Sequence, residues 1–141
     1  MLYKYLTIFF FLFFSTQLTF SQKATHPIDA KNKQCRENAI PTTSATMSCE
    51  NNALKAWGKE MNMYLEHIKK KSKQLDIVSL EISQKKWHEF FNADIVVYKS
   101  YLNKLYKGGT LSRVALLTYR KNGIRKRALN LKRFFEDLED H

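Results

Sequence analysis

An all-α fold, an antiparallel up-down-up bundle of three helices with a disulfide-tethered N-terminal arm, is predicted by three features of the sequence. The chain has only four Gly and two Pro in 141 residues, too few turn formers for a many-stranded β fold. Met47, Leu54, Met61 and Ile68 recur every seven residues, with Trp57 and Tyr64 at the half-steps, which is the pattern of a helix packed on other helices. The pair Gly108-Gly109 then separates two further long stretches of three-and-four apolar spacing.

The first element to justify is one that does not belong to the bundle. Residues 1–21 read as a secretory signal peptide: Lys4 in a short n-region, the apolar run LTIFFFLFF, then a polar STQLTFS with Thr19 and Ser21 as small residues before Gln22. The run is shorter than the ~20 apolar residues a spanning helix needs, and Gln17 interrupts its end. Cleavage is therefore expected, leaving no integral span and a periplasmic or secreted protein. Residues 22–42 are polar and aperiodic, and Pro27 and Pro41 are expected to keep them extended. Cys35 ties this arm down. In an exported chain with two cysteines, a Cys35–Cys49 disulfide follows most simply, whereas a zinc site needs more ligands than this spacing offers.

The bundle domain spans residues 43–141. Its first helix is expected over about 43–71, with Thr43 as N-cap after Pro41 and Lys69–Lys71 complementing the negative C-terminal end of the helix dipole. Gly58 within it weakens the helix by about 1 kcal/mol relative to Ala. A second helix over about 76–106 carries Leu80, Trp87, Phe91, Ile95, Tyr98, Leu102 and Leu105 as its stripe, broken by Gln84. The third, over about 110–138, has Thr110 as N-cap and Val114, Leu117, Ile124, Ala128, Leu131, Phe135 and Leu138 as its stripe, with Lys121 as a gap. Each helix is roughly 45 Å long, and the short loops make successive helices antiparallel. The first and third then run parallel, so that the lysine-rich end of one meets the acidic EDLED, Glu136–Asp140, of the other.

Little in the chain suggests a reaction. His26, His67, His88 and His141 fall at no metal-ligating spacing, no serine sits in a strand–helix elbow, and no Gly-rich phosphate loop is present. Glu60 and Glu66 diverge around the helix rather than pairing. The expectation is a non-enzymatic binding protein with no metal and no cofactor. Asn62 and Gln84, amides on apolar stripes, are read as register-setting residues, or as the polar lining of a ligand site between helices. The formal net charge of +11 implies anionic partners. Export argues against nucleic acid and for lipopolysaccharide or acidic glycan. The third helix supplies an anion-binding patch for such a polymer in Arg113, Arg120, Lys121, Arg125 and Lys126, which as the solvated face of a bundle helix also has a purely structural reading.

Taken in order, these residues resemble the lysozyme-inhibitor LprI-like family of small exported bacterial proteins. The resemblance rests on Thr43 and Met47 with Cys49, then Met61, Asn62 and Tyr64, then Gln84 and Trp87, then Gly108-Gly109-Thr110, and finally Arg127 with Leu131, and it covers about residues 28–135. The sequence departs from the pattern at Gly58, where Asp is usual, at Phe91-Asn92, where Arg-Asp is usual, and near Ile95, where a further cysteine often stands. The resemblance implies an exported binding protein that inhibits lysozyme, with lysozyme or another envelope protein as partner. The alternative is a basic envelope-surface protein held to an anionic polymer by the third helix.

Overall fold

The computed structural model describes residues 25–71 and 77–139, so the leader 1–21 lies outside the described residues. Four helices follow in order: α1 (Pro27–Asn38), α2 (Thr43–Lys71), α3 (Ile77–Tyr106) and α4 (Thr110–Glu139). The described residues contain no strand, and no helix among them is long and apolar enough to cross a membrane. The all-α class is correct. Among the described residues the helix count is four rather than three, because the expected extended arm contains a helix.

That correction has a simple cause. Pro27 occupies the first position of α1, where its missing N–H would have had no partner and its fixed φ already suits a helix. His26 caps the helix, its Nδ1 accepting from the Ile28 N–H at 3.3 Å, and Asp29 places negative charge in the first turn. The helix ends at Ala39, in extended geometry, two residues before Pro41. The Cys35–Cys49 disulfide is present, with Cα atoms 5.8 Å apart, and joins the last turn of α1 to the first turns of α2.

At the start of α2, Thr42 rather than Thr43 acts as the cap: its Oγ1 accepts from the Ala45 N–H at 3.2 Å, and Thr43 is the first helical residue. Thr110 likewise opens α4 as its first residue. Between α3 and α4 the chain turns through Lys107 (φ 50°) and Gly108 (φ 73°), with the Gly108 N–H donating to the Asn103 carbonyl at 3.2 Å. This closure satisfies carbonyls that the helix end leaves open. Lys107, not a glycine, takes the first left-handed position.

The core is built mainly between α2 and α4, from Trp57, Met61, Tyr64, Ile68, Ala128 and Leu131. The two helices run parallel, as Glu50 meets Lys121 near one end and Lys71 pairs with Glu139 at the other. The expected meeting of lysine-rich and acidic C-termini is thus realised in the Lys71–Glu139 pair. Helix α3 runs antiparallel along α4, where Phe91 seats on Gly123 and Asp94 accepts from the Tyr119 hydroxyl. A Cβ on Gly123 would lie 2.2 Å from the Phe91 ring, so glycine there is what lets the ring approach the α4 backbone. Phe91 also stacks on Trp87, centroids 5.1 Å apart. Two stripe assignments need correction. Leu105 is 53% exposed, since it lies near the turn beyond the packed length of α3. Lys121, read as a gap in the α4 stripe, is buried.

Candidate functional site

Helix α1 docks on α2 and α4 through Ile28, which packs against the core, and through a row of polar groups. Its residues Asp29, Asn32 and Arg36 recur at three-and-four spacing and therefore share one side of the helix. The Asn32 Nδ2 donates to Glu50 Oε1 at 3.2 Å, and Arg36 lies 3.6 Å from the same oxygen. On the other carboxylate oxygen, the Lys121 ammonium sits at 2.8 Å and the Thr118 hydroxyl donates at 3.3 Å. Glu50 is 1% exposed. Burial by itself would raise its pKa, but the hydrogen bonds from Lys121 and Asn32, with the charges of Lys121 and Arg36, outweigh that and hold the carboxyl below its ordinary range. The Asn32 Oδ1 finds no donor among the described residues.

One turn along α1, Asp29 makes a second anchor. Its Oδ2 accepts from Arg125 Nε and pairs with the guanidinium Nη2, both at 2.8 Å, and its Oδ1 accepts from the Trp57 indole at 3.3 Å. Trp57 is fully buried, its ring 4.3 Å from that of His26 and beneath the Arg125 guanidinium. Between α1 and the neighbouring helices lies an open groove of about 510 Å³, lined by Asp29, Asn32, Arg36 and Lys121 among others.

A separate polar cluster lies where α3 crosses α2 and α4. Arg127 Nε donates to Gln84 Oε1 at 2.8 Å, its terminal nitrogen reaches Ser83 Oγ at 3.5 Å, and the guanidinium lies over the Trp87 ring at 5.7 Å. The Gln84 amide nitrogen reaches Met61 Sδ at 3.6 Å and His88 Nε2 at 3.2 Å. Arg127 makes no ion pair among the described residues, and burial lowers its pKa. A half-buried guanidinium held by neutral partners and an aromatic face can still offer charge to an incoming anion.

The structure therefore brings Met61, Gln84, Trp87 and Arg127 into contact, although they come from three helices. Leu131 and Tyr64 belong to the adjoining core, with the Tyr64 hydroxyl donating to Glu60 at 3.4 Å. Thr43 and Met47 sit half-buried at the far end of α2. Asn62 is exposed and takes no part, so the reading of it as a buried register residue fails: it lies just off the Met61–Tyr64 line. The anion patch is also broken up. Lys121 and Arg125 turn inward to Glu50 and Asp29, leaving Arg113, Arg120 and Lys126 exposed. An extended reading of residues 22–42 hides Asp29, Asn32 and Glu50; the spacing of 29, 32 and 36, and Glu50 next to Cys49, are the signals in the sequence.

The family described as "Lysozyme inhibitor LprI" matches residues 35–131 of the chain. No curated protein matches the chain. Among solved structures, an uncharacterized protein from Burkholderia thailandensis shares the fold, with a TM-score of 0.67 at 21% identity over 82% of this chain and 56% of that one. This chain thus spans little more than half the length of that relative.

Proposed function

The chain belongs to the lysozyme inhibitor LprI family, and from that membership we propose that it is an exported, non-enzymatic binding protein that inhibits a lysozyme. The observation that carries this reading is the family match over residues 35–131, which includes the disulfide and every residue of the Arg127 cluster. No group of metal-ligating side chains occurs among the described residues, and the buried ionic groups are tied to one another. The envelope-polymer alternative loses support, since Lys121 and Arg125 of its patch serve inside the fold.

Lysozymes place two carboxylates in an open substrate cleft. Arg127, positioned by Gln84 and Trp87, is the cation with which this protein would meet such a cleft. A muramidase assay with the purified protein, run across lysozymes of differing charge, tests the proposal. Micromolar or tighter inhibition is expected for at least one, weakened about tenfold or more by Arg127→Ala, in line with loss of a buried charge–charge contact. Against strongly basic lysozymes the +11 chain is repelled at long range, so association is expected to quicken as salt rises. Absence of inhibition across the panel would refute the assignment.

A further inference from the structure

Helix α3 carries a second apolar line that none of the packing described above uses. Phe90, Val97, Tyr101 and Leu105 are 69, 68, 56 and 53% exposed and recur at steps of seven, four and four, so they share one flank. Contacts with α2 lie on the other flank, at Glu81 to Lys69 and Gln84 to Met61, while Phe91, Asp94 and Tyr98 face α4. The exposed line therefore points away from α2. Leu111, in the first turn of α4, is 62% exposed as well.

Charge says what such a surface fits. From Ile95 to Phe135 the sequence contains no Asp or Glu. Lys104, Lys107 and Arg113, on the same end of the helical hairpin, make no ion pair among the described residues. Two copies of this face would bring like charges together, which disfavours self-association there. Exposed aliphatic and tyrosyl side chains bordered by unpaired cations match instead the boundary between anionic head groups and acyl chains. There the apolar groups leave water, the phenol keeps its hydrogen bonds, and the cations meet phosphate.

We propose that this flank of the α3–α4 hairpin, centred on Val97, Tyr101 and Leu105, docks on an anionic lipid surface. It is a different surface from the Arg127 cluster, so the protein would hold to a membrane face through one side and keep the other free for a protein partner.

The chain from Gln22 carries every described helix and is the material to use. Its binding to vesicles of phosphatidylcholine with phosphatidylglycerol, and of phosphatidylcholine alone, is measured by co-sedimentation at low and high salt. Binding only to the anionic vesicles, weakening with salt, is expected. The combined V97S, Y101S and L105S variant is expected to lose about tenfold or more in affinity, from the apolar surface removed. K104Q with K107Q is expected to lose several-fold per lysine. Far-UV circular dichroism confirms that both variants keep their helix content. The proposal is overturned by absence of binding to anionic vesicles, or by binding that the triple serine variant leaves intact. It is equally overturned if the chain without lipid sediments as a dimer that the triple variant converts to monomer.

Discussion

Replacing Glu50 with Gln isolates what a buried charge contributes to this fold. The side chain keeps its shape, but Lys121, which is itself almost wholly buried, loses the only carboxylate described beside it. Removing one partner of a buried pair leaves the other charge uncompensated and costs about 3–5 kcal/mol. The amide carbonyl can still accept from Lys121, so about 3 kcal/mol is the expected loss, or a fall in melting temperature on the order of 10 °C for a domain of this size. Urea denaturation at neutral pH, with the disulfide intact, measures it directly. Glu50→Gln with Lys121→Met should recover most of the loss, because no buried ammonium is then left without a counter-charge, while Asn32 and Thr118 can still hydrogen-bond the amide. The pH dependence gives an independent check. The Glu50 carboxyl is held below its ordinary value of 4.5 in the folded state, so the unfolded chain takes up the proton more readily. The contribution is complete above about pH 4.5 and is lost as pH falls through the lowered folded-state value. Wild type and variant should therefore converge on acidification. A Glu50→Gln protein as stable as wild type at pH 7, or a gap that does not close at low pH, would refute the reasoning.

Further outcomes follow from single positions. Cys35→Ser removes the covalent hold on α1 and should lower stability by about 3 kcal/mol in the chain-entropy model, read as a lower urea midpoint, with Trp57 fluorescence changing as His26 leaves its ring. Gly58→Ala should raise stability by about 0.5–1 kcal/mol, since no atom lies within 4 Å of the added methyl and the helix gains propensity. Gly123→Ala should do the opposite, by about 1–3 kcal/mol, because the Phe91 ring must give way; restoring stability with Phe91→Leu in the same chain would confirm the contact.

Much of the fold could be read from α2, α3 and α4 because their ends carry strong local signals. Pro41 with Thr42-Thr43 opens one helix, and Gly108-Gly109 separates the other two. The parallel pairing of α2 and α4 followed from loop length alone. Helix α1 is harder to read, since Pro27 in a polar stretch suggests a breaker, whereas at the start of a helix it is a promoter. The Glu50 network stays hidden with it, because its partners become neighbours only once residues 29, 32 and 36 are wound on a helix. Lys121 shows the converse error. A cation on an apolar stripe looks like an interruption until a buried carboxylate from another helix is found opposite it. By contrast, Gln84, Trp87 and Arg127 stand far apart in the sequence, and only the three-dimensional arrangement shows that they form one cluster.

The departure at Phe91-Asn92 bears most directly on function. Where the family pattern has Arg-Asp, this chain places an aromatic ring against Gly123 and between Trp87 and Tyr119. Phe91 serves packing there, and Gly123 leaves the room its ring needs. Among the described residues no carboxylate pairs with Arg127, four residues beyond Gly123 on the same face of α4. In a member with an internal acid nearby, such an arginine would be neutralised before any partner arrived. Here its hydrogen bonds go to neutral Gln84 and Ser83, so its charge remains available. Hydrogen-bonded to neutral groups, Arg127 is the cation proposed to act on an anionic group of a partner. Introducing Asp at position 92 alone would test that link: if it pairs with Arg127, inhibition should fall about as far as with Arg127→Ala while thermal stability holds or rises.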